Sequence, residues 1–230
     1  MTTAKTSMRK WGFVSQKGGC GKTTLVLQLS VLAVSKGLAV SVLDLDPQRS
    51  AEQWSELREA RQDVVEPTVV HGDALNLDPM LEAAEETGTD LVLIDTPPAV
   101  DRTMIYTAAA SDIVIVPTRS NLTDQFSLSD TLDYLERIKA LDKAVVILNA
   151  PSKDKDARVE IRRIAIEDFG VELLATSLED QVDFAESLRM GQGIVEAAPR
   201  RRSANTIREI FDQLCAFEQK ITRARGRVKV

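Results

Sequence analysis

The amino-acid sequence predicts an α/β protein, a doubly wound, mostly parallel sheet with helices on both faces. Three observations carry this. Short apolar runs alternate along the chain with stretches of helical periodicity. The runs are continuous rather than alternating, as strands become when both faces of a sheet are covered. The chain of 230 residues, 43% hydrophobic and 28% charged, is long enough to bury a substantial core, and neither a repeat nor a Pro/Gly-rich linker divides it. Residues 1–230 therefore read as one domain. Aromatics are only 4%, so the core is expected to be built from Leu, Ile, Val and Ala.

The elements follow in order. Trp11 to Ser15 is a first strand, and Thr23 to Ser35 a helix with Leu25, Leu29, Leu32 and Ala33 on one side. Ala39 to Leu43 is strand, Gln48 to Arg61 a polar helix, and Thr68 to Val70 a short strand before a helix over Ala74 to Glu86. Asp90 to Ile94, Ile113 to Val116 and Ala144 to Leu148 are strands, separated by helices over Arg102 to Ala110 and Leu122 to Ala140. Ala157 to Phe169 is helical, and a short run covers Val171 to Ala175. In the last helix, Ala204 to Ile221, the residues Ile207, Ile210, Phe211, Leu214, Phe217 and Ile221 recur at intervals of three and four, which places them on one face. Thr222 to Val230 is basic, lacks a periodic apolar face and reads as a mobile tail.

Composition narrows the function classes. Cys20 and Cys215 are too few and too far apart for a disulfide framework or a metal-ligand spacing, and a reduced, cytoplasmic setting is the default. Met1 to Lys10 has no apolar run of a signal peptide, and no stretch is long enough to cross a bilayer. The net charge of −6 is unevenly spread. From Pro199 onward nine Lys/Arg face three Asp/Glu, whereas the remainder holds twenty against thirty-two. A polyanion partner at the C-terminal end follows as an expectation.

The chemistry centres on Lys17-Gly18-Gly19-Cys20-Gly21-Lys22-Thr23-Thr24, which leaves a strand and opens a helix. Glycines allow successive backbone N–H groups to face phosphate oxygens, and the helix adds its positive end. Lys22 is expected to reach the β- and γ-phosphates, and the Thr23 hydroxyl to ligate Mg²⁺. Cys20 reads as a small filler. Two further acidic strand ends, Asp44-Leu45-Asp46-Pro47-Gln48 and Asp95-Thr96-Pro97-Pro98, fall on the same sheet edge as this loop, because ligands bind beyond the carboxyl ends of parallel strands. Asp95 is placed to hold Mg²⁺; the alternative is that these aspartates cap the helices that follow. Asn149, before Ala150 and Pro151, ends a later strand and reads either as an adenine-pairing amide or as a turn former. Pro117-Thr118 borders the same edge.

The loop departs from the common G-x-x-x-x-G-K-[ST] spacing: Gln16 stands where the first glycine belongs, and Lys17 follows it. This resembles the deviant Walker A motif, K-G-G-x-G-K-T, of the ParA/MinD family of P-loop ATPases. The resemblance extends through D-x-D-P-Q to Gly191-Gln-Gly193-Ile-Val-Glu196 and the final helix, with Gln181 where many relatives carry arginine. It implies ATP and Mg²⁺ as cofactors and Lys17 reaching across an ATP-dependent homodimer. It also implies Asp46 positioning the attacking water, Asp44 near the metal, and Asn149 with Pro151 at the adenine. It implies a ParA-type cycle in which the dimer binds DNA without sequence preference, on the nucleoid, until a cargo-bound ParB-like or other partner stimulates hydrolysis. Arg189, Arg200, Arg201, Arg202 and Arg208 are the local candidates for DNA phosphates, the alternative being a solvated basic face. A MinD-like membrane helix fits less well, because Gly226 and the lack of bulky apolar residues leave no insertion face. A P-loop metabolic ligase is a third reading. An iron–sulfur reductase lacks the paired cysteines it would need.

Overall fold

Apolar runs at β1 (Arg9–Phe13), β2 (Val40–Asp44), β3 (Thr68–His71), β4 (Leu91–Asp95), β5 (Ile113–Thr118), β6 (Ala144–Leu148) and β7 (Glu172–Leu173) form a single sheet in the computed structural model. The structure describes residues 7–61, 66–151, 155–179 and 181–228. Among these, the strand order is β3-β2-β4-β1-β5-β6-β7, and every pairing is parallel. Parallel neighbours need a crossover, supplied by α1 (Lys22–Ser35), α2 (Ser50–Glu59), α3 (Leu77–Glu86), α4 (Arg102–Ala110), α5 (Leu122–Arg137) and α6 (Lys155–Arg162). The chain ends in α7 (Gln181–Arg189), α8 (Ile194–Ala197) and α9 (Arg202–Val228).

Strand side chains alternate between two cores, as the period of two requires. Trp11, Phe13, Leu91, Leu93, Ile113 and Ile115 face one cluster, which α1, α8 and α9 complete through Leu25, Ile194, Ile207 and Leu214. Val114, Val116 and Val146 face the opposite cluster with Met104 of α4, Leu132 of α5 and Ile161 of α6. The helical stripe read from Ile207 to Phe217 is buried, and Trp11 lies 5.4 Å from Phe211 between ring centroids.

Several boundaries differ from the sequence reading for identifiable reasons. β1 begins at Arg9 because it pairs with β4 from Arg9↔Leu91 onward. α2 starts only at Ser50, since Arg49 adopts φ 55° after the Asp46 turn. α5 stops at Arg137, and Lys139 turns the chain at φ 57°. The helix expected over Ala157 to Phe169 begins at Lys155 and ends in a π-helical turn, Arg163–Asp168. The tail expected to be mobile is instead helical as far as Val228, continuing α9 without a break at Gly226. The sequence reading assigned no element to α7 or α8. Both are short, and they dock through Phe184, Ile194 and Val195 in the core and through a polar side chain: buried Gln28 of α1 donates to Ser187 Oγ at 2.9 Å and accepts from Ile194 N at 2.6 Å.

A buried arginine joins α2 to this region. Arg58 donates to Glu196 Oε1 and Oε2 at 2.8 and 2.9 Å, to Gly191 O at 3.0 Å and to Glu66 O at 2.7 Å. Gly191, at φ 62°, lies so close to α2 that a Cβ there would stand 2.8 Å from the Arg58 backbone. Removing one partner of such a pair leaves the other carboxylate and two carbonyls without donors. Arg58→Met should therefore lower stability by roughly 2–3 kcal/mol, read from the urea unfolding midpoint. That is short of the loss for a wholly buried pair, since Glu196 keeps some access to water.

Candidate nucleotide site

Because all strands point the same way, the loops leaving β1, β2, β4 and β5 meet at one edge of the sheet. They enclose a cavity of about 320 Å³ whose walls include Gly18, Gly21, Lys22, Thr23, Asp46 and Arg119. Gly19 at φ 71° and Gly21 at φ 97° take the left-handed conformation, so the loop turns back over the start of α1. No side chain caps that helix and no acidic residue lies in its first turn, which leaves its N–H groups and positive end open to an anion. The residues 18–24 named from sequence are thus gathered around a phosphate-sized space, except that Cys20 is buried beneath it.

Lys22 is buried, and its Nζ lies 3.5 Å from both Ser15 O and Lys17 O. These are long contacts to neutral carbonyls. Lys17 is oriented differently. Its Nζ lies 2.6 Å from Thr123 Oγ1 and 2.6 Å from Asp124 Oδ1, at the N-terminal turn of α5. The side chain is not among the cavity walls. Asp124, almost fully buried, is a residue the sequence reading missed. Its only signal is an acid in the first turn after the N-cap Asn121, a pattern shared by many helices.

Asp95 is wholly buried. Its Oδ2 accepts from Thr23 Oγ1 at 2.6 Å, while Oδ1 is buried with no hydrogen-bond partner. Asp44 is its register partner on the adjacent strand. Burial above all, and then the neighbouring charges of Asp44 and Asp46, push the Asp95 carboxyl up to about 7, against the pull of the Thr23 hydroxyl and Lys22. An orphaned carboxylate oxygen beside a hydroxyl, in a field that disfavours its charge, fits a divalent cation. Thr23 and Asp95 are the residues that would hold it. A hard cation of this kind completes its shell with phosphate oxygens and water, in keeping with there being no cluster of three acidic, His or Cys ligands among the described residues.

Asp44, also fully buried, spends Oδ2 on the N–H groups of Ala51 and Glu52 and Oδ1 on that of Asp46. In this conformation it caps α2, the alternative the sequence left open, and its influence on Asp95 is through charge. Burial pushes its own carboxyl up. Asp46 is half-buried at the cavity wall, its Oδ1 accepting from Gln48 N at 2.9 Å. Thr96 Oγ1 donates to Phe13 O at 2.7 Å and pins the β4 loop beside β1. Asn149 is fully buried, and its Nδ2 donates to Cys20 O at 2.6 Å. A Cβ on Gly21 would lie 1.9 Å from that nitrogen, so the amide props the loop from below. Neither Asn149 nor Pro151 is a wall of the cavity.

The five arginines proposed for DNA are exposed or half-exposed. Arg201 pairs with Asp183, Arg202 with Glu179 at 3.0 Å, and Arg208 donates to Pro199 O and Asn205 Oδ1. Arg189 and Arg200 have no ion pair or hydrogen bond from their guanidinium groups among the described residues. The side chain of Gln181 lies outside those described.

The profile of the CobQ/CobB/MinD/ParA nucleotide binding domain matches residues 11–194. The chain belongs to this family. It is 26% identical over 203 residues to the maintenance of carboxysome distribution protein A of Halothiobacillus neapolitanus, covering 86% of this chain and 92% of that protein. It is 25% identical over 245 residues to the chromosome-partitioning ATPase Soj of Thermus thermophilus, covering 94% and 98%. A chain of the MinC:MinD cell division protein complex of Aquifex aeolicus superposes with a TM-score of 0.74 at 15% identity, over 90% of this chain and 96% of that one. The ParA/MinD resemblance and the parallel α/β architecture read from the sequence are both borne out.

The Asp95 carboxyl yields a pH prediction. Its pKa is above the ordinary 3.8, so the folded protein binds this proton more tightly than the unfolded chain. The stabilisation is complete below about 4 and is lost as pH rises through about 7. Asp95→Asn should remove the loss, raising the nucleotide-free protein's stability at pH 8 by on the order of 2 kcal/mol while weakening Mg²⁺-dependent nucleotide binding. Thermal melts of both proteins from pH 4 to 8, with and without Mg²⁺ and nucleotide, check both halves.

Proposed function

We propose that this protein is a ParA-type positioning ATPase that dimerises with ATP, binds DNA without sequence preference and lets go when a partner stimulates hydrolysis. The observation that carries the reading is the phosphate loop with two lysines, Lys22 turned inward and Lys17 held outside its own cavity. A lysine that does not serve its own nucleotide is free to serve one on a facing copy, once its contacts on α5 are given up. The kinship with a chromosome-partitioning ATPase and a carboxysome-distribution protein supports a role in moving or spacing cargo.

In this reading the N–H groups of the loop and of the first turn of α1 bind the phosphates, and Lys22 orients and neutralises them. Thr23 and Asp95 would hold Mg²⁺, which would supply positive charge to the phosphates. Asp46, at the cavity wall, holds the attacking water in line. Lys17 from the facing protomer adds positive charge where negative charge develops. Exposed ion pairs such as Arg202–Glu179 are worth little, so their arginines can exchange carboxylates for DNA phosphates. Two copies double the basic surface, so that nucleotide-driven dimerisation raises DNA affinity through avidity.

DNA binding measured with ATP, ADP and no nucleotide across a salt series tests the whole reading. Binding that needs ATP and falls steeply with salt is expected; equal binding in all three states would overturn it, and ATP-dependent binding to anionic vesicles alone would select the membrane reading. Lys22→Ala should abolish nucleotide binding, measured by calorimetry. Asp46→Ala should keep ATP affinity while cutting turnover by at least about 100-fold and prolonging the dimer. Arg189→Ala with Arg200→Ala removes four arginines from the dimer and should flatten the salt dependence of log K by up to about four, leaving hydrolysis without DNA unchanged.

A further inference from the structure

The cavity has two cationic walls, Lys22 and Arg119, and the phosphate-loop motif explains only the first. Arg119 follows the last residue of β5 and stands one strand away from the loop. Its Nε is buried with no hydrogen-bond partner. No hydrogen bond or ion pair joins its guanidinium to any described residue. This is unusual in its surroundings. Lys17 is paired with Asp124, and Arg49 with Glu52, and the chain has more carboxylates than cations. A guanidinium carries five donors and no acceptor; the buried Nε is held from water without an acceptor, at a cost that a ligand oxygen would remove, and the residue forms part of the cavity wall.

The backbone that carries Arg119 is fixed before any ligand arrives. Thr118 Oγ1 donates to Arg119 O at 3.1 Å, and Gln125 Nε2 donates to Ser120 O at 3.2 Å. The electrostatics of the site point to the same ligand chemistry. Asp44 and Asp95 are register partners on adjacent strands, and Asp46 lines the cavity with a single lysine, Lys22. A polyphosphate entering that field with one Mg²⁺ needs further positive charge. The walls shared with Arg119 are Gly18, Gly19 and Gly21, not Asn149 or Pro151, so its neighbours are those of the phosphate chain and not those expected for the base.

We propose that Arg119 is a phosphate-contacting residue of the nucleotide site, donating its unpaired N–H groups to the polyphosphate of the nucleotide bound by its own protomer. This deepens the nucleotide-binding reading and rests on it. A guanidinium fork holds two oxygens at once where an ammonium holds a point charge, so lysine replaces it only in part.

Calorimetry and competition with the full-length chain test the assignment, using Mg-ATP and inorganic tripolyphosphate as probes. Arg119→Gln should weaken both about tenfold or more, Arg119→Lys by an intermediate factor, and neither should move the melting temperature of the nucleotide-free protein downward. Arg119→Gln binding both probes as tightly as the wild type would overturn the proposal, provided that the wild type binds and Lys22→Ala does not. A loss confined to Mg-ATP, with tripolyphosphate unchanged, would also overturn it by moving the contact to the base. If the wild type binds neither probe, the nucleotide reading itself falls and this inference with it. Should Arg119→Gln fail to fold, Arg119→Lys alone decides: equal affinity for both probes sinks the fork.

Discussion

The hydrogen bond from Thr23 Oγ1 to Asp95 joins the first turn of α1 to the end of β4, and much of the site is arranged around it. Its acceptor, Asp95, is fully buried next to Asp44 on the neighbouring strand. A carboxylate there tolerates its charge only if something positive comes close. The parallel sheet creates this situation: the same pairing that builds the core brings two acidic strand ends into register. Fold and chemistry are coupled at this point, since stability is set aside at the edge where a metal–nucleotide complex would restore it.

The fold was legible in the sequence because continuous apolar strands and glycine-marked crossovers leave few topologies open. The stripe from Ile207 to Phe217 and the strand at Leu91 to Ile94 were read from periodicity and run length alone. α7 and α8 escaped notice because they are short: Phe184, Leu188, Ile194 and Val195 reach the core, beside the contact of Gln28 with Ser187, but span too few turns to show a period. The helix end at Val228 was missed for a different reason. Its last turns have no apolar face, and helical continuation there rests on the momentum of the preceding turns and on contacts such as Arg225 with Asp142.

At the site, the residues in the glycine loop could be placed from spacing, because a motif fixes local geometry. Orientation could not. Nothing in Lys17-Gly18-Gly19 states that the lysine lies on α5, or that the Asn149 amide reaches the carbonyl of Cys20. Both depend on loops that meet only after the sheet has formed. Arg119 was invisible for a related reason: an arginine after a strand is ordinary, and only its lack of a partner in a cavity of phosphate-binding groups sets it apart.

The close approach of Gly191 to α2 has a mechanical consequence. With backbone against backbone at one point and the Arg58 fork gripping Glu196 at another, α2 is tied twice to the segment that joins α7 and α8. The helix and the α7–α8 turn form one stiff block. Arg49, just before the helix, takes a left-handed backbone, and a displacement of the block would carry Arg189, the last residue of α7, along with it.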